Sequence, residues 1–153
     1  MRLALQTDYA LRSLIYLGTY GGRSQITQIS QFFKISSHHV AKAVNRLAHE
    51  GFIRTVRGVG GGIELARAAH EIVLGDVIRR MEGNLHLLEC VSGVEVCSIQ
   101  PGCRLRHVLA EAERLQWSYL NSVRLSDVLG AGHSLVELLP LGDKPSVSRT
   151  GEV

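Results

Sequence analysis

The stretch Ser36–Arg67, SSHHVAKAVNRLAHEGFIRTVRGVGGGIELAR, decides the fold. In its first half Val40, Ala43, Val44 and Leu47 recur at three- and four-residue spacing, which is one face of an α-helix. His38, His39, Lys42, Asn45, Arg46 and His49 fall mostly on the other face. Ser36 or Ser37 is placed to cap the start, and Gly51 stands just past the end. The second half changes period. Phe52–Arg57 alternates between apolar and cationic residues, Ile63–Ala66 returns, and the intervening GVGGG supplies the positive φ values that a hairpin turn needs. A hairpin directly behind a helix with a polar, cationic face is a wing behind a reading helix. The glycines do not form a phosphate loop, because no Lys-Ser/Thr follows and strand-turn-strand is the wrong context. They open no helix, so they are not a dinucleotide fingerprint either.

Working outward, Asp8–Tyr20 carries Leu11, Leu14, Ile15 and Leu17 as a helical stripe ended by Gly21-Gly22. Thr27–Phe33 is a shorter helix, and Lys34-Ile35-Ser36 a tight connection into the reading helix. Short helix, brief turn and Ser-capped helix make a helix-turn-helix. Downstream, Ile72–Met81 reads as an amphipathic helix ended by Gly83-Asn84. Leu105–Val123 is the longest helical pattern, with Leu105, Val108, Leu109, Ala112, Leu115, Tyr119, Leu120 and Val123 as its stripe. Arg104, Arg106, Glu111, Glu113 and Arg114 are expected on its outer faces. So long a stripe suits pairing with a second copy. Leu125–Leu129 is a closing helix capped by Ser126, and Gly, Pro and Ser accumulate beyond it. The expected class is mainly α with a small β-hairpin wing. A winged helix-turn-helix domain (1–82) leads to a cysteine loop (83–104), a dimerisation helix with its closing helix (105–129) and a flexible tail (130–153).

The chain has 153 residues, 45% hydrophobic and 20% charged, a globular composition. No run of eighteen apolar residues and no signal-peptide layout is present, so a soluble cytoplasmic protein with no membrane segment is expected. Charge is unevenly spread. Residues 1–67 hold nine Lys/Arg against three acids, and residues 68–153 hold eight against eleven. A basic front half suits a polyanion such as double-stranded DNA.

Cys90, Cys97 and Cys103 are the chain's three cysteines. An odd number cannot close into intrachain disulfides, and these gaps match neither zinc-knuckle spacing nor a C-x-x-C redox pair. Gly93, Pro101 and Gly102 break regular structure there, so the thiols belong to a loop able to wrap around something. Three thiolates from one loop suit an iron–sulfur cluster with one iron left for another ligand. The plainer reading is three small buried hydrophobes. Nothing in the chain forms an acid–base constellation, so an enzyme is not expected. Adjacent His38 and His39 diverge by about 100° on a helix and chelate poorly.

TDYALRSLIYL, SSHHVAKAVNRLAHEGFI, TVRGVGGGIELAR, IVLGDVIR and ECVSGVEVCSIQPGCRLRHVLAEA together resemble the Rrf superfamily of winged-helix regulators over about residues 1–130. The stretch from Glu89 through Cys97 to Leu105 most resembles its NsrR branch, the nitric-oxide-sensing repressors. The resemblance implies a homodimer with one iron–sulfur cluster per protomer on Cys90, Cys97 and Cys103. A 4Fe–4S cluster is favoured, with 2Fe–2S the alternative. It implies a non-cysteine fourth ligand, with Asp8 of the opposite protomer the candidate. Glu89, Glu95, His107 and His86 are rivals, and Asp8 also reads as an ordinary carboxylate facing a helix dipole. The implied function is repression of operator DNA while the cluster is intact, with release on reaction with nitric oxide. The alternative is an iron- or redox-sensing 2Fe–2S regulator of the same superfamily. Expected DNA contacts are His38, His39 and Lys42 to bases, Ser36 or Ser37 to phosphate, and Arg57 in the minor groove.

Overall fold

The structure, a computed structural model, describes residues 2–83 and 85–129. Six α-helices and one hairpin follow in order: α1 (Leu5–Tyr20), α2 (Ile26–Phe33), α3 (Ser37–His49), β1 (Ile53–Val56), β2 (Gly62–Leu65), α4 (Leu74–Glu82), α5 (Arg104–Ser122) and α6 (Leu125–Leu129). The tail expected from residue 130 lies outside the described residues. The fold is the expected one, mainly helical with a two-stranded antiparallel wing.

One core holds the front half together. Leu14 and Leu17 of α1, Ile29 of α2, Val40, Val44 and Leu47 of α3, and Phe52 are fully buried against one another. Ile72 and Val77 extend this core, and Leu125 of α6 closes it. The helix-turn-helix corner depends on Lys34, whose φ of 54° is the left-handed conformation that ends α2. Its amide donates to the Gln31 carbonyl, and that of Ile35 to the Ser30 carbonyl at 2.9 Å. A glycine would take this turn more cheaply.

Several local expectations are corrected. Ser36 occupies the N-cap of α3 but makes no side-chain cap bond, and the Ser37 hydroxyl pairs instead with that of Ser30 at 2.7 Å. α4 begins at Leu74 rather than Ile72, because Ile72 and Val73 are extended and pair with the α5–α6 junction. There Leu74 donates to the Val123 carbonyl and Leu125 to the Ile72 carbonyl. α6 is not capped by Ser126. Asp127 reaches back to accept the Arg124 amide at 2.8 Å.

The face of α5 is the largest departure. Glu113, expected outside, is buried. Leu105, Val108, Leu115 and Tyr119 of the apolar stripe are each more than half exposed. The stripe covers no core of its own protomer. α5 meets the winged-helix half through α4, where Gly75 backs onto Asn121 and Arg79 lies over the Trp117 ring at 5.0 Å. No described helix is long and apolar enough to cross a membrane.

Candidate functional site

The cysteine loop is built on two short 3-10 turns, Glu89–Ser92 and Gln100–Gly102, separated by irregular chain. Gly93, with φ of 94°, turns the chain after the first. Buried Gln100 organises the loop from inside. Its amide nitrogen donates to the Val94 carbonyl at 2.9 Å, and its amide oxygen accepts from the Val96 amide at 3.1 Å. Arg106, in the first turn of α5, donates to the Cys90 carbonyl at 2.8 Å. Glu113 holds the approach to the loop, accepting from the Leu87 amide and pairing with His86 at 3.1 Å. Arg106 and Glu113 therefore face the loop, not solvent as their charge suggested.

All three thiols are free. Cys97 is exposed and Cys90 and Cys103 are half-buried, so they are not the sealed hydrophobes of the plainer reading. Cys97, Gln100 and Arg106 help to line an open concavity of about 730 Å³. Among the described residues no three His, Cys, Asp or Glu side chains gather as a site for one metal ion. The donor set is three thiols on one pinned loop, of which Cys97 lines the concavity while Cys90 and Cys103 do not. Three thiol donors from one loop have the chemistry that would suit an iron–sulfur cluster.

Asp8 stands in the first turn of α1. Both its oxygens accept from Arg12 Nε, at 2.9 and 3.0 Å, and this contact raises the Arg12 pKa above its ordinary value. The Arg12 guanidinium also lies 5.7 Å from the Phe33 ring centre, linking α1 to the end of α2.

At the reading helix, Ser36, Ser37, His38, His39 and Lys42 are all exposed. They are not equally free. The His39 ring stacks on Tyr9 of α1 at 5.9 Å, and His39 and Lys42 share a pocket with Leu5, Gln6 and Tyr9. Arg46 is committed elsewhere, donating to the Arg80 carbonyl at 2.7 Å. On the wing, Arg54 pairs with Glu64 across the ladder at 2.7 Å, whereas Arg57 is exposed and makes no ion pair among the described residues.

Sequence reasoning missed how the wing is held. Ser24 pairs with Ile63 on the outer edge of β2, through bonds of 2.9 and 2.8 Å. Arg23 donates to Glu64 and to the Gly60 carbonyl, and the Gln25 amide donates to the Gly61 carbonyl. These partners lie 36 to 41 residues apart, beyond any periodicity argument.

A helix-turn-helix with a braced wing and a cationic reading face is the architecture of a DNA-binding regulator. A model of the Rrf2 family, described as an iron-dependent transcriptional regulator, matches residues 3–131, and the chain belongs to that family. Solved structures agree in fold. CymR (YrzC), the global cysteine regulator of B. subtilis, has a TM-score of 0.66 at 23% identity, over 84% of this chain and 95% of that one. The oxidised form of Staphylococcus aureus CymR gives 0.69 at 24%, over 88% and 100%. T. potens IscR gives 0.66 at 23%, over 84% and 86%.

Proposed function

We propose that this chain is a homodimeric transcriptional repressor that binds operator DNA while an iron–sulfur cluster on Cys90, Cys97 and Cys103 is intact, and releases it on exposure to nitric oxide. One observation carries the reading: three free thiols on a single loop tied by Arg106 to the start of α5. A cluster held there, with one iron on a weak oxygen ligand, would supply a site for a small diatomic ligand such as nitric oxide.

The chain's own contacts offer a route from loop to DNA. Arg106 and Glu113 tie the loop to α5, Trp117 of α5 packs under Arg79 of α4, and the neighbouring Arg80 carbonyl accepts from Arg46 of the reading helix. A second link runs through Asp8, proposed as the oxygen ligand from the opposite protomer. To serve, Asp8 gives up Arg12, which lies against α2 through Phe33. Either link biases the spacing of two reading helices, and half-sites about 34–36 Å apart tolerate little change.

The test is an anaerobic native mass spectrum followed by nitric oxide titration of operator binding. Four irons and four sulfides per subunit, with DNA release that tracks nitric oxide, support the proposal. A loaded dimer that keeps its operator through the titration overturns it. The family model's description as iron-dependent favours a second reading, an iron- or redox-status sensor. Two irons and two sulfides per subunit, with release on iron depletion instead, would select it.

A further inference from the structure

The tip of the wing carries an apolar side chain with no role inside the protein. Val59 is the most exposed large hydrophobic residue among those described, at 111% relative exposure. It sits between Gly58 and Gly60, whose φ values of 99° and 73° turn the chain so that Val59 heads the loop. A single exposed valine is ordinary on a protein surface. The framework beneath this one is not. The Gly61 amide donates to the Gly58 carbonyl at 2.9 Å and closes the turn. Arg23 holds the Gly60 carbonyl at 3.1 Å, and the Gln25 amide holds that of Gly61. A Cβ on Gly61 would stand 2.8 Å from the Gly58 carbonyl oxygen and 3.2 Å from the Arg57 carbonyl carbon, so the turn is packed to its limit. Five consecutive residues with four glycines are a floppy sequence. Here two side chains from the α1–α2 connection fix two consecutive carbonyls immediately behind the valine. The entropy of ordering the tip is thus met in the free protein rather than on binding.

We propose that Val59 is the apolar element of a preset minor-groove reader, packing against the deoxyribose walls while the adjacent Arg57 supplies charge. Arg23 and Gln25 act as positioning residues, holding the tip in its contacting shape. The occupant is DNA because Arg57 makes no ion pair among the described residues, residues 1–67 are strongly basic, and the chain is a member of a family of transcriptional regulators. A minor groove presents apolar sugar walls about 6 Å apart, a fit for one branched aliphatic group. The inference rests on the DNA-binding part of the proposed function but not on the cluster or its signal.

The test uses cluster-loaded, full-length dimer on an operator bearing A·T-rich or G·C-rich flanks, with affinity followed against salt. Wild-type binding is the entry condition. A wild-type protein that binds neither operator would sink the functional reading itself, before the wing is addressed. Val59→Ala should weaken binding by up to about fifteenfold on A·T-rich flanks, the value for two fully buried carbons. Its salt slope should match wild type, because no charge is lost. Val59→Ile should retain affinity. Arg57→Ala should instead flatten the slope by about 0.9. Unchanged melting is expected for Val59→Ala. Affinity unchanged in Val59→Ala, or lost equally on both flanks, overturns groove insertion. A fall for Val59→Ile equal to that for Val59→Ala does so too.

Discussion

On the wing, Glu64 stands between two guanidiniums. Its oxygens accept from Arg54 at 2.7 Å and Arg23 at 3.1 Å, and these hydrogen bonds hold its carboxyl below the ordinary value of 4.5. A depressed folded pKa means the contribution to the wing is complete above the ordinary carboxylate range and is lost as pH falls through the depressed value. Protonation frees Arg23, which also carries the Gly60 carbonyl. The Gly60 and Gly61 amide resonances should therefore titrate together below the ordinary carboxylate range, and in Glu64→Gln they should be flat there. Wild-type resonances that stay fixed across that range would show the wing to be held without Glu64. Surface ion pairs contribute little to global stability, so the melting temperature is the wrong readout and local shifts are the right one.

At the scale of elements, α5 presents Leu105, Val108, Leu115 and Tyr119 outward over four turns while burying a carboxylate on its other side. An amphipathic helix arranged this way satisfies its apolar face only against another molecule, and a two-fold copy of the same stripe is the simplest partner. Leu115→Asp and Tyr119→Asp place charges in that interface without touching the buried core. An unpaired buried charge costs about 3–5 kcal/mol, or roughly 100- to 1,000-fold or more in dimer affinity. Sedimentation should find these variants monomeric at concentrations where wild type is dimeric, with helical content near that of wild type. Dimers of unchanged affinity would place the interface elsewhere. The same helix shows what the sequence can and cannot reveal. Its length and stripe were legible because period 3.6 is a local property, as were the reading helix and the wing. Which face turns inward was not, because Glu113 is buried by its bonds to Leu87 and His86, 26 and 27 residues away. The loop's thiols were legible from composition, but Gln100, which orders the loop, looks like any surface glutamine until its three bonds are seen.

For the whole molecule, the decisive fact is where the core is not. Every residue of the buried hydrophobic cluster lies between Ala10 and Met81 or is Leu125, and none comes from the cysteine loop or from α5. The loop is held instead by hydrogen bonds that Gln100 and Arg106 donate and Glu113 accepts, while Val94, Val96 and Ile99 around it remain exposed. The winged-helix head therefore folds without contacts from the cysteine loop, and losing the proposed iron–sulfur cluster should change what the protein binds rather than whether it folds. This separates it from small metal domains whose binding energy is their folding energy. Cys97→Ala replaces an exposed side chain and leaves no cavity, so its circular dichroism and the melting of the head should match wild type. Operator affinity should fall by at least about tenfold, the lower part of the 1–3 kcal/mol range typical of coupling between sites. Because coupling is reciprocal, operator DNA should in turn raise the equilibrium affinity of wild type for the proposed cluster by the same factor. A cluster-free Cys97→Ala protein that binds the operator as tightly as loaded wild type would uncouple loop from reading helix. A variant that melts far below wild type would show instead that the loop belongs to the fold.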